Sequence, residues 1–471
     1  MSIGSKPYLE NYFDECFKYD CGNMPRFGFA SGRFRHYNSA AMEPLPVDIL
    51  QLRRRDPAAW SALLARFPET SGVIVTAVTS EPLCATTLAF SDPARGESTH
   101  RLRRYVLTLA DCSDPISFIV KQTNAAEAFL YNQYGDPPGT AMPACHYAYL
   151  DGDDSWVVLE DIPDHYPPHA WVPEQVDGIV ETLARFHAGR WNHNVDPIGE
   201  RDVDDTIIPH FWHRPGGPYT WEELRRSENS LFEDGPAAIL SRHAINNAGR
   251  LAPAFLRAAN GLVVMRDLGG WPGVLGESHL SAAADLLDDP VPMLAPLLDL
   301  PVTLLHGAPY PGHWRSTLFD ERFLVDWSEA QLGPGVLDLI AFIEGYPLVH
   351  DTAQDCRTTS WSHLRLREMS PLMEETLVDT YLLTLSAELS RRLSVRAFRA
   401  ALPAARCLHV LLTWFPYFAT WSGNMPDKYV WQRMNRTSQE EAGRYHNTPD
   451  INLRLYLAGV FDRFLRACRS L

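Results

Sequence analysis

The sequence predicts an α+β chain of two lobes, a small antiparallel β lobe followed by a larger, mainly helical lobe with a C-terminal helical extension. Three patterns carry that expectation. Residues 73–121 hold short β-rich runs broken by Gly, Ser, Asp and Pro turns, the signature of an antiparallel meander. Residues 147–159 add two strand-like runs around Asp151-Gly152-Asp153-Asp154, a polar turn suited to a hairpin. From 173 onward apolar residues recur at helical spacing. These patterns divide the chain into an arm with a short helix over 1–69, the small lobe over 70–162, the larger lobe over 163–349 and the extension over 350–471.

Each element has a local reason. Residues 1–50 are rich in Tyr, Phe, Gly and Pro without a period, and read as an irregular arm draped over a domain; 57–66 read as a short helix. Strands are expected at 73–76, 86–90, 105–109 and 117–120, and a helix at 125–134, where Ala126, Phe129 and Leu130 share a face. Val176, Ile179, Val180, Leu183, Phe186 and His187 trace one side of a long helix that Pro173 starts. Residues 202–275 read as short helices and Pro/Gly loops, 280–297 as one helix, and 302–328 as strand, turn, strand. Helices are expected again over 368–415 and 450–469, with a polar loop at 422–449.

Composition narrows the function classes. At roughly 150 residues per domain, 471 residues suggest about three units, or two lobes with extensions. The 42 basic side chains against 58 acidic ones give a net charge of −16, which argues against nucleic acid as a partner. Eight scattered cysteines contain no Cys-x-x-Cys pair, so neither a disulfide framework nor a zinc site is expected. The first residues lack the apolar run of a signal peptide, and the longest apolar stretch, around 408–421, is too short for a membrane span. A soluble cytoplasmic protein is the resulting expectation. Only four of the basic residues are lysines, Lys6, Lys18, Lys121 and Lys428, so a lysine alone inside an apolar strand invites a chemical reason. The competing reading is a chance lysine that snorkels to the surface.

Several side chains carry candidate chemistry. Lys121 ends the strand at 117–120 and Glu127 sits on the following helix, an arrangement that can hold an ammonium against nucleotide phosphates. Upstream, Ser98 lies in Gly96-Glu97-Ser98-Thr99-His100, a loop whose backbone N–H groups could cap phosphates, though an ordinary hairpin loop reads the same way. Glu160 and Ile162 end the hairpin where the chain leaves the small lobe, offering backbone groups to an adenine edge; a plain edge strand is the alternative. Asp326 closes an apolar strand and could hold Mg²⁺ between phosphates, or could serve as a turn residue. His210 and His213 have metal-binding spacing without a third ligand, so aromatic packing is the better reading. His187 reads as a satisfied core histidine. Trp361, Trp414, Trp421, Tyr429 and Trp431 of the extension could stack on a substrate or fill its core.

Lys121, Glu127, residues 158–161, Leu183-Ala184-Arg185-Phe186-His187-Ala188, His306-Gly307, Leu324-Val325-Asp326-Trp327, Gly333-Pro334 and Asp338-Leu339 stand in one characteristic order. Across roughly residues 70–350 the chain thereby resembles the aminoglycoside phosphotransferase/choline kinase-like family. The resemblance implies a protein-kinase-like fold binding ATP and Mg²⁺ between two lobes, and phosphoryl transfer to a small-molecule hydroxyl. It implies that Lys121 contacts the α/β-phosphates with Glu127 orienting it, that Asp326 ligates Mg²⁺, and that Asp338 braces the catalytic loop. The acidic total permits a cationic acceptor such as an amino sugar or a choline-like amine.

The sequence departs from the family at the decisive loop. The family pattern H-G-D-x-x-x-x-N supplies a catalytic Asp and a metal-binding Asn; here Ala308 and His313 stand in those places. Alanine accepts no proton, and imidazole suits Mg²⁺ poorly. General-base assistance is worth about 10²–10⁴-fold, roughly 3–5 kcal/mol. Two outcomes follow: an enzyme whose base is Glu329, Tyr310 or His313, or a nucleotide- or ligand-binding pseudokinase or repurposed fold.

Overall fold

The computed structural model describes residues 48–83, 102–134, 141–191, 207–227, 240–350, 364–389, 393–423 and 449–471. The arm up to residue 47, the expected strand at 86–90, Ser98, Trp361, Tyr429 and Trp431 lie outside the described residues. Two short helices come first, α1 (Ile49–Arg53) and α2 (Pro57–Leu64). Asp48 and Asp56 cap them by accepting from the Leu50 and Ala58 amides. Then come β1 (Val75–Pro82), β2 (Leu102–Leu109), β3 (Ile116–Thr123), helix α3 (Ala125–Tyr134), β4 (Cys145–Tyr149) and β5 (Ser155–Glu160).

The five strands form one antiparallel sheet in the order β1-β2-β3-β5-β4. β5 is therefore an internal strand, and the plain edge-strand reading fails; β4 takes the edge. β1 also starts later than the 73–76 run, because its partner β2 fixes the register from Val75 opposite Leu109 to Pro82 opposite Arg103. Strand alternation sends Phe118 and Val120 to one face, where they join Trp60, Leu63, Tyr105 and Val158 in a core under α1 and α2. Lys121 necessarily points the other way.

The helical body starts with α4 (Pro173–Gly189), whose apolar face is fully buried, as its spacing predicts. Two helices, α5 (Trp221–Ser227) and α6 (Arg242–Ala248), lead to α7 (Ala252–Leu268), a long helix where the sequence suggests only short ones. Ala258, Ala259, Gly261, Leu262 and Met265 are buried around much of its circumference, which erases the amphipathic period. The expected helix at 280–297 is two, α8 (Glu277–Asp288) and α9 (Val291–Leu298), separated at Pro290.

The 302–328 region likewise differs from a single strand-turn-strand. β6 (Thr303–Leu305) pairs with β9 (Gln331–Gly333), while β7 (Trp314–Ser316) pairs with β8 (Arg322–Leu324) between them. Two nested ribbons thus replace one hairpin. Next come α10 (Val336–Gly345), the pair β10 (Leu348–His350) and β11 (Leu364–Leu366), and three long helices, α11 (Pro371–Leu389), α12 (Val395–Gly423) and α13 (Pro449–Cys468). The protein is a two-lobed α+β fold. Among the described residues no helix is long and apolar enough to cross a membrane.

The long helices are fastened to the body by charge as well as packing. Glu344 of α10 is fully buried and accepts from Arg406 of α12 at 2.6 Å and from Arg463 of α13 at 2.5 Å. Burial works against its carboxylate, but the two guanidiniums outweigh burial and hold its pKa down at about 2. Trp414 is 1% exposed and packs at a tilt against Tyr456 in the core, with ring centroids 5.6 Å apart, so its aromatic ring serves packing.

His146 of β4 meets Phe67 and Phe118 edge-on at 5.0 and 4.9 Å, and burial pushes its pKa down to about 4. The unfolded chain takes up this proton near pH 6.5, the folded chain only near 4. Stability is therefore complete above 6.5 and declines as pH falls through that window. His146→Phe should flatten the decline, losing about 2 kcal/mol less than the parent between pH 7 and pH 5. Urea denaturation at the two pH values measures this; parallel losses in both proteins would contradict it.

Candidate functional site

Lys121, Glu127 and Asp326 arrive from three different elements and meet. Lys121 Nζ on β3 donates to Glu127 Oε2 of α3 at 2.6 Å and to Asp326 Oδ1 at 2.5 Å. Asp326 lies two residues past the end of β8, in a left-handed conformation with φ 68°. That non-glycine strain turns the carboxylate back under the sheet. Burial works against the ammonium, yet the two carboxylates raise its pKa well above the ordinary value. Burial opposes the Asp326 carboxylate too, and Lys121 followed by His313 holds it far below the usual range.

Neighbouring groups fix this triangle. Glu127 is fully buried. It also accepts from the Thr123 hydroxyl and, through Oε1, from the Trp327 amide at 3.0 Å. Asn124 accepts from the Glu127 amide at 3.0 Å and donates through Nδ2 to the Ser328 carbonyl at 2.7 Å. It both caps α3 and ties it to the Asp326 loop. Sequence reasoning missed this residue, although an Asn three positions before a Glu at a helix start is a capping signal.

The loop after β6 is built around Asp338 of α10. Its carboxylate accepts from the His306 amide at 2.7 Å, the Gly307 amide at 2.9 Å and His187 Nε2 at 3.2 Å. Tyr381 of α11 in turn donates its hydroxyl to His187 Nδ1 at 2.7 Å, so His187 is a satisfied core histidine that transmits the brace. His306 Nε2 donates to the Val325 carbonyl at 3.0 Å, and Nδ1 accepts from the Ala308 amide at 3.2 Å. Burial, then the neighbouring His313, pushes the His306 pKa down to about 4.

The candidate bases separate by position. His313 Nδ1 lies 2.6 Å from the Ala308 carbonyl; its Nε2 is buried, has no hydrogen-bond partner and faces Asp326 Oδ2 at 3.9 Å. Burial lowers its pKa, which keeps the ring neutral. Tyr310 turns its phenol to Thr413 of α12, and burial pushes its pKa up to about 12, so its hydroxyl holds its proton. Glu329 is exposed, and its backbone and Cβ lie against Gly307, next to Ala308. Glu160 and Ile162 stand apart from this group, where β5 leaves the sheet. The Glu160 amide is already bonded to the Ala144 carbonyl at 2.9 Å, which removes it as a donor to an adenine. Asp161 beside it is clamped by Arg104 at 2.6 Å. His210 Nδ1 accepts from the Trp212 and His213 amides, closing a turn.

No protein-family model and no curated protein matches the sequence. Solved structures resemble the fold, among them the following at low sequence identity. A choline kinase from Streptococcus pneumoniae is 13% identical, over 81% of this chain and 94% of that one, with a TM-score of 0.35. A choline kinase from Cryptosporidium parvum Iowa II is 9% identical over 88% and 96%, with a TM-score of 0.42. A spectinomycin phosphotransferase, in complex with ADP and spectinomycin, is 11% identical over 85% and 95%, with a TM-score of 0.37.

Gly307 holds φ +85°, and a Cβ there would lie 2.0 Å from the Glu329 carbonyl oxygen. Gly307→Ala must therefore move the loop, at a cost of about 1–3 kcal/mol. Chemical denaturation reads the loss; an unchanged midpoint would show that the loop is not held against that carbonyl.

Proposed function

We propose that this chain binds ATP and a divalent cation beneath its β-sheet and transfers the terminal phosphoryl group to a hydroxyl of a small, cationic acceptor. One observation carries the reading: the Lys121 ammonium, the one lysine among the described residues, is shared between the buried Glu127 and the half-buried Asp326. Such a cation, fixed by a carboxylate that cannot leave, is placed to receive phosphate oxygens once Asp326 turns to a metal ion. With the Glu160 amide already bonded, the Ile162 backbone and the Glu160 carbonyl would seat the adenine. Asp326 Oδ2 and the partnerless His313 Nε2 fit a divalent ion; the family resemblance implies Mg²⁺, which the imidazole suits poorly. When bound, that ion would neutralise charge on the phosphates. The acidic surplus of −16 permits a cationic acceptor.

Ala308 leaves the acceptor proton without its expected recipient. Glu329 takes that role in this proposal, because its Cβ lies beside Gly307 and the residue is exposed, while Tyr310 is half-buried with its phenol turned to α12 and His313 faces Asp326. The same alanine favours a second reading, a nucleotide-binding pseudokinase that transfers nothing.

ATP with a divalent cation should raise the melting temperature, and Lys121→Ala should lower the apo melting temperature and abolish that shift, read below the variant's own transition. Glu329→Gln should keep the shift and lower turnover by about 10²–10⁴-fold, and Ala308→Asp should recover activity in that background. Full turnover in Glu329→Gln removes the base assignment. Absence of turnover in the parent and in Ala308→Asp, across amino-sugar, nucleoside and amino-alcohol acceptors, selects the pseudokinase.

A further inference from the structure

We infer that the divalent cation of this cleft is a nitrogen-accepting ion of the Mn²⁺–Zn²⁺ series rather than Mg²⁺, held through His313 Nε2 and Asp326 Oδ2. The inference rests on the proposal that nucleotide binds here, and it concerns which ion accompanies the nucleotide.

The protonation of His313 follows from its partner. Nδ1 lies 2.6 Å from the Ala308 carbonyl, which can only accept, so the ring proton sits on Nδ1. The neutral ring then presents the Nε2 lone pair. That nitrogen is buried without a hydrogen-bond partner, an arrangement that costs free energy in the absence of a ligand to the lone pair. The ring cannot easily turn away. His313 closes a short 3₁₀ turn over Pro311–His313, and its carbonyl accepts from the Val325 amide at 2.9 Å.

Asp326 is divided to match. Its Oδ1 is occupied by Lys121 at 2.5 Å and by the Ser328 hydroxyl at 2.8 Å, leaving Oδ2 toward the imidazole. The separation of 3.9 Å is too long for a hydrogen bond. Two donors about 2.1 Å from one ion stand at most about 4.2 Å apart, so the pair can share a cation with little movement. The donor set is one imidazole nitrogen and one carboxylate oxygen. Mg²⁺ demands oxygen and sheds its water reluctantly, whereas Mn²⁺, Co²⁺ and Zn²⁺ accept imidazole.

Among the described residues no three His, Cys, Asp or Glu side chains cluster as a metal site. Two protein donors make a weak site alone, and phosphate oxygens and water must complete it. The ion should therefore bind tightly only with nucleotide.

The test uses uniformly ¹⁵N-labelled full-length protein with unlabelled ATP and Mn²⁺, examined by pulsed electron paramagnetic resonance. The inference predicts a ¹⁵N coupling from a directly bound nitrogen, lost in His313→Asn. It also predicts that ATP binds about tenfold tighter with Mn²⁺ than with Mg²⁺ beyond the ions' own preference for ATP, and that His313→Asn erases this ratio. The coupling is read on the unmutated protein, so the test survives a variant that folds poorly. ATP binding equally well with Mg²⁺, without a ¹⁵N coupling, overturns the ion assignment and leaves the nucleotide reading intact. No ATP binding with either ion overturns both.

Discussion

A single ammonium shared by two carboxylates organises this molecule. Lys121, Glu127 and Asp326 are charged groups drawn largely out of water, and such groups are tolerated only when all partners are in place. Removing Lys121 would leave two largely buried carboxylates without their shared counter-charge, a cost of several kcal/mol. β3, α3 and the loop after β8 therefore have one mutual arrangement. The Asn124 side chain and the Trp327 amide repeat the same tie, joining α3 to the loop by neutral hydrogen bonds.

Below that triangle the helical body works as a rigid mount. Asp338 gathers three N–H donors from α4 and the β6 loop, which places Ala308 and His313 relative to Asp326. Glu344, at the other end of α10, is bound by arginines from α12 and α13. One ten-residue helix thus anchors the loop at its start and the C-terminal helices at its end. The extension is in this sense part of the site's foundation.

How much of this could be read from sequence depends on the range of the interaction. The two-lobed α+β class, the hairpin at β4–β5 and the face of α4 follow from local periodicity, and the structure bears them out. The meeting of Lys121, Glu127 and Asp326 was legible only through the order of short motifs, since Lys121 and Asp326 are 205 positions apart. The pairing of β6 with β9 was not legible, because three-residue strands carry no register of their own. α7 was hidden because a helix buried on most sides loses its amphipathic stripe. Neither the unpartnered His313 Nε2 nor the Glu344 cluster has a sequence signal: both arise where distant segments close on one another.

The central claim is that Lys121 faces nucleotide phosphates. An acyl-phosphate derivative of ATP, which transfers its acyl group to a lysine lying beside the phosphates, tests this directly by peptide mass spectrometry. The chain has four lysines, Lys6, Lys18, Lys121 and Lys428, so the result is unambiguous. Acylation at Lys121 that free ATP suppresses is the predicted result. An unlabelled Lys121, or labelling at Lys121 that excess ATP does not reduce, would contradict the account.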